Sequence, residues 1–76
     1  MRGRLPRITA AEAIRVLEKT GFILTRQSGS HKIYKNQEGR RVTVPYYSGK
    51  ILHLKVLRNI LRDADLTVEE FKELMR

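Results

Sequence analysis

The sequence predicts an α+β fold of order α-β-β-β-α followed by a short C-terminal helix, on three observations. Apolar residues at helical spacing follow a capping signal near the start. Three short runs rich in β-branched and aromatic residues, separated by glycine-containing turns, occupy the middle. Helical spacing then returns to the end of the chain.

The first helix opens at Thr9-Ala10-Ala11-Glu12, a capping box in which a hydroxyl and a carboxylate answer backbone N–H groups that have no partner in the first turn. Ala10, Ala13, Ile14 and Leu17 form its apolar stripe, with Glu12, Arg15 and Lys19 on other faces. Gly21 is placed to end it in a left-handed turn, so the helix is predicted from about Thr9 to Thr20. The strands are predicted at Phe22 to Gln27, His31 to Lys35 and Arg40 to Pro45, joined by Ser28-Gly29-Ser30 and Asn36-Gln37-Glu38-Gly39. Connections this short make an antiparallel meander, and Pro45 ends it because proline has no N–H for a ladder. Leu54, Leu57, Ile60 and Leu61 mark a second amphipathic helix. Thr67-Val68-Glu69-Glu70 is a second capping box, opening a short helix with Val68, Phe71, Leu74 and Met75 as its apolar side.

A chain of 76 residues has room for one modest core, burying roughly 60% of the surface that its unfolded form exposes, so one domain over 1–76 is expected with 1–7 as a basic arm. Any site on it must be shallow. With no cysteine and two histidines, neither a disulfide framework nor a thiolate zinc site is possible, and no metal or cofactor is expected. The chain has no apolar run long enough to span a membrane, and its basic start lacks the apolar stretch of a secretory signal. A cytoplasmic protein without membrane association is expected.

The charge is +8 in total and unevenly spread: residues 1–58 hold 13 basic and 3 acidic side chains, hence +10, and residues 59–76 hold 3 and 5, hence −2. Clustered cations on a small folded surface attract the phosphates of nucleic acid. The competing explanation, plain solubility, accounts for a basic composition but not for its concentration in one part of the chain.

Antiparallel pairing brings the end of strand one, the start of strand two and the end of strand three to one edge of the sheet. That edge gathers Arg26, Gly29, Ser30, His31 and Lys32 with Tyr46, Tyr47 and Lys50. The second helix starts nearby, so its free N–H groups are expected to face the same space. Lys55, Arg58 and Arg62, three and four residues apart, form a positive stripe along that helix. The stripe alone reads equally as a solvated helix face.

His31 is the one side chain at this edge that ordinarily titrates near neutrality, which makes it a candidate general base. In RNA it could take the 2′-hydroxyl proton and let that oxygen attack the adjacent phosphate, with Lys32 or Lys50 stabilising the developing charge. The competing role is a strand end hydrogen-bonded to its turn. By strand parity His31 shares a side with Ile33, which reads as core, so the ring is expected at the rim of the packed face. Tyr46 and Tyr47 are candidates for stacking on unpaired bases, with one of them expected to pack against the second helix. His53 reads as a surface residue.

Several segments together resemble the HicA-type toxins, the small ribonucleases of toxin–antitoxin pairs. They are Gly21-Phe22, Arg26-Gln27-Ser28-Gly29-Ser30-His31, Gly39-Arg40-Arg41-Val42-Thr43-Val44-Pro45, and Leu57-Arg58-Asn59-Ile60-Leu61-Arg62, within a likeness that covers about Ile8 to Met75. The resemblance implies a double-stranded-RNA-binding-domain-like fold with helices packed on one face of the sheet. It also implies metal-independent endoribonuclease activity on mRNA and a HicB-type antitoxin partner, with His31 as the catalytic histidine. The chain departs from the family pattern at Lys32, where many relatives have a second histidine, and at Lys55-Val56, where they have Gly-Thr. Two other readings stand beside it: an RNA-binding module that does not cut, and a DNA-binding protein, for which no recognition helix of the usual layout is visible.

Overall fold

A computed structural model describes residues 4–76; the first three positions of the basic arm, Arg2 among them, lie outside the described residues. The elements run α1 (Ala10–Lys19), β1 (Ile23–Ser28), β2 (His31–Lys35), β3 (Arg41–Pro45), α2 (Leu54–Ala64) and α3 (Val68–Leu74). The strands form one antiparallel sheet in the order β1-β2-β3. This is the predicted double-stranded-RNA-binding-domain-like α-β-β-β-α arrangement with its short C-terminal helix, and strand boundaries move by a single residue.

Both capping boxes form. Glu12 N–H donates to the Thr9 hydroxyl and Thr9 N–H to the Glu12 carboxylate. Thr67 and Glu70 repeat the exchange at α3. The β1–β2 connection is two residues long, and Gly29 has φ +59°, the positive value that a tight hairpin with glycine in first place requires. A bulge at Leu24/Arg26 interrupts β1, where the Thr25 hydroxyl donates to the Ile33 carbonyl. β1 is an edge strand, and an irregularity of this kind discourages another strand from pairing along it.

The buried side chains form one cluster between the helices and one face of the sheet. Tyr34, Val42 and Val44 supply the sheet side, Leu17, Leu57 and Ile60 the helix side, and Phe71 reaches in from α3. Val16, outside the predicted stripe of α1, is also buried. Its burial goes with the packing of α1 against both the sheet and α3, which widens the covered side of the helix. Lys19, in the last turn of α1, donates to the Leu74 carbonyl at 2.7 Å and so satisfies the end of α3.

The N-terminal arm is tied down: Leu52 N–H donates to the Ile8 carbonyl at 2.7 Å, Thr9 bridges to Ile51, and Ile8 is buried. Among the described residues, no helix is long and apolar enough to cross a membrane.

Burial raises the phenol pKa of Tyr34 above its usual 10.0, and the negative charges of Glu18 and ionised Tyr46 push it the same way. The folded chain therefore resists ionising Tyr34 more than the unfolded chain does. Its contribution to stability is fully present below about pH 10 and is lost as pH rises through the raised folded value. Urea midpoints measured across that window should fall more steeply in the parent than in Tyr34→Phe. Equal slopes would remove Tyr34 from the alkaline transition.

Candidate functional site

Hairpin geometry sets Ser28, His31 and Pro45 in one row across the three strands, as Cα partners. The Tyr46 N–H donates to the Ser30 carbonyl, which holds the segment after β3 against the β1–β2 turn. The edge deduced from topology therefore exists, with Gly29 and Ser30 at its tip and Lys50 in the exposed Tyr47–Lys50 turn beside it.

Neighbouring strand residues point to opposite faces and direct partners share a face. Lys32, Tyr34, Val42 and Val44 lie on the packed side, where the last three are buried. His31, Arg26, Ile33, Thr43 and Pro45 lie on the open side. His31 and Ile33 share a side, as strand parity predicts, but that side is the open face and not the packed one. Ile33 is only half-buried, whereas Tyr34 is 3% exposed and His31 is exposed. The reason is that helices cover only one face of this sheet, so an apolar residue on the other stays partly in solvent.

The same alternation separates the cations. Arg26, two residues before the partner of His31, shares its face. Lys32 turns away: it is half-buried and its ammonium lies 4.1 Å from the ring centroid of Tyr46, a cation–π contact. Tyr46 is itself half-buried against the core, so Tyr47, 55% exposed, is the tyrosine whose ring is available for stacking.

At the start of α2 the backbone donors are not all free. His53 is the N-cap, and its Nδ1 accepts from Lys55 N–H at 3.1 Å. Histidine is not among the preferred caps, so no local signal announced this role. The helix begins at Leu54 with its cap supplied by His53. Lys55, Arg58 and Arg62 are exposed along α2. Arg58 and Arg62 line a groove of about 740 Å³, and the other cations there are Arg4 and Arg7 from the arm. In the sequence the arm is a basic run with no local signal that assigns these two residues to the site. Only the pinning of Ile8 and Thr9 beside Ile51 and Leu52 brings them to α2.

Among the described residues, no three His, Asp or Glu side chains gather in a way that could hold a metal ion. The arrangement offers an exposed imidazole, an arginine on the same face, and cations on the adjoining turn and helix. Such a surface can bind a phosphodiester and take a proton from a hydroxyl beside it.

Compared with known protein families, residues 10–66 match the family described as HicA toxin of bacterial toxin-antitoxin. A search of curated proteins finds no match.

Proposed function

Because the chain belongs to the HicA toxin family of bacterial toxin–antitoxin systems, we propose that it is a metal-independent endoribonuclease that cuts mRNA with His31 as its general base. The observation that carries this reading is the placement of His31: an exposed imidazole on the open face of the sheet, in line with Ser28 and Pro45, with Arg26 on the same face.

In this mechanism the neutral ring of His31 takes the proton of a ribose 2′-hydroxyl, and the oxygen attacks the neighbouring phosphorus. The bond to the 5′-oxygen breaks, and that oxygen leaves with a proton from solvent or a nearby donor. Arg26 stabilises negative charge on the non-bridging oxygens, since a guanidinium presents a planar fork of donors to phosphate. Lys50 adds to the field from the turn beyond β3. Lys32 acts at one remove, by holding Tyr46 in place beneath the turn.

A HicB-type antitoxin restrains the enzyme in this proposal, covering the His31 edge and meeting its cations with acidic groups. The host compartment is the cytoplasm, where mRNA is the polyanion at hand. The test of the activity is direct: the purified chain, incubated with single-stranded RNA in the presence of a chelator, is expected to yield discrete fragments. RNA that stays intact under these conditions, while still bound by the protein, would make it a holder of RNA instead.

A further inference from the structure

Resting on that reading, we propose that an unpaired stretch of the substrate RNA next to the cut lies in the groove between the N-terminal arm and α2, with its phosphates on Arg4, Arg7, Arg58 and Arg62. The arm contributes the first two guanidinium groups and the helix the other two. No carboxylate lines this groove. Among the described residues, the one ion pair made by the four is Arg62 with Asp63, long at 3.8 Å and exposed on both sides. Four like charges with this single long, exposed counter-contact repel one another, and a polyanion relieves that repulsion.

The groove also leads to the candidate catalytic edge. Arg7 and Leu54 border a second depression with Ile51, Leu52 and His53. Those last three border a third, which reaches Lys50 and Pro45, the strand partner of His31. No acidic side chain lines any of the three. A strand bound along α2 therefore meets no acidic side chain in these depressions as far as Pro45, the strand partner of His31.

The floor distinguishes single-stranded from double-stranded RNA. It is apolar, with Leu5, Leu54, Leu61 and Val68 between the arginines. A duplex hides its base faces and shows a protein mainly phosphate and sugar. An unpaired strand shows both a charged backbone and apolar base faces, and guanidinium planes stack on bases as well as binding phosphate. From Leu54 to Arg62 the helix rises about 12 Å, the length of roughly three or four stacked nucleotides at about 3.4 Å each.

The experiment uses the full chain carrying His31→Ala, which prevents cutting, and a short fluorescent single-stranded RNA titrated at several salt concentrations. Adding Arg4→Ala and Arg7→Ala together is expected to flatten the slope of log affinity against log salt by about 1.4, or roughly 0.7 for each phosphate of a single strand that no longer meets a guanidinium. Arg4→Lys with Arg7→Lys is expected to keep the slope, which separates the effect of charge from a failure to fold. Annealing a complementary strand to the RNA is expected to weaken binding about tenfold, as the base faces are withdrawn from the protein. An unchanged slope in the alanine pair, or equal affinity for the duplex, overturns the proposal. So does an alanine pair that keeps RNA affinity but no longer captures the purified antitoxin, because the groove then serves the protein partner. Cleavage by the parent is scored separately: cutting with an unchanged slope removes the groove and leaves the ribonuclease, whereas a flattened slope without cutting does the reverse.

Discussion

Replacing His31 with alanine is expected to lower the rate of RNA cleavage by about 10²- to 10⁴-fold, the usual worth of a positioned general base, while leaving RNA affinity nearly unchanged. The separation of the two effects follows from where the ring sits. His31 is exposed at the first position of β2, and among the described residues its side chain enters no hydrogen bond, ion pair or ring contact. Truncating such a residue changes stability by no more than about 0.5 kcal/mol, so a loss of activity reports on chemistry and not on folding. In the proposed binding mode affinity is spread over several cations on the adjoining turn, arm and helix, so removing one imidazole is expected to subtract little from their summed attraction. Thermal melting, salt-dependent binding and initial cleavage rates measured on the same preparation check all three statements. A variant that cuts as fast as the parent removes His31 from the mechanism. One that melts far below the parent shows that the residue is structural after all.

Phe71→Ala is expected to destabilise the fold by about 3–5 kcal/mol, the range for deleting a fully buried aromatic ring. A chain of this size holds in total roughly 4–11 kcal/mol, so the variant would be largely unfolded on mild heating. Phe71 is completely buried, although it sits on a helix of seven residues that begins beyond the part of the chain matching the family. α3 is kept in place from both ends, by the Thr67–Glu70 capping box and by the Lys19 ammonium on the Leu74 carbonyl. Phe71→Leu, which refills most of the volume, is expected to cost less. Urea denaturation of the three proteins decides the matter. Closely spaced midpoints would make the third helix an appendage whose ring adds nothing to the core.

The two capping boxes, the Gly29 turn and the order of elements were legible in the sequence because each is decided within a few residues of chain. Thr9 needs only Glu12 to form its reciprocal pair, and Thr67 needs only Glu70. The row of Ser28, His31 and Pro45 was legible too, since antiparallel pairing with short turns leaves one arrangement of strand ends. The face on which His31 lies was not legible. Lys32, Ile33 and Tyr34 alternate without saying which side the helices cover, and Ile33 looks more like core than Tyr34 when burial is judged by residue type alone.

His53 as the cap of α2, Lys32 over the ring of Tyr46, and Arg4 and Arg7 beside Arg58 and Arg62 belong to the same class. The last two sets join residues that are distant along the chain, and the His53 cap uses a residue type that carries no helix-start signal. Three short antiparallel strands between helices, a positive surface and one histidine at the sheet edge are written into the chain, because hydrogen bonding and hydrophobic period act locally. That the histidine faces solvent and that the arm and α2 share a groove emerges with packing alone, because burial depends on which distant element lies over each face.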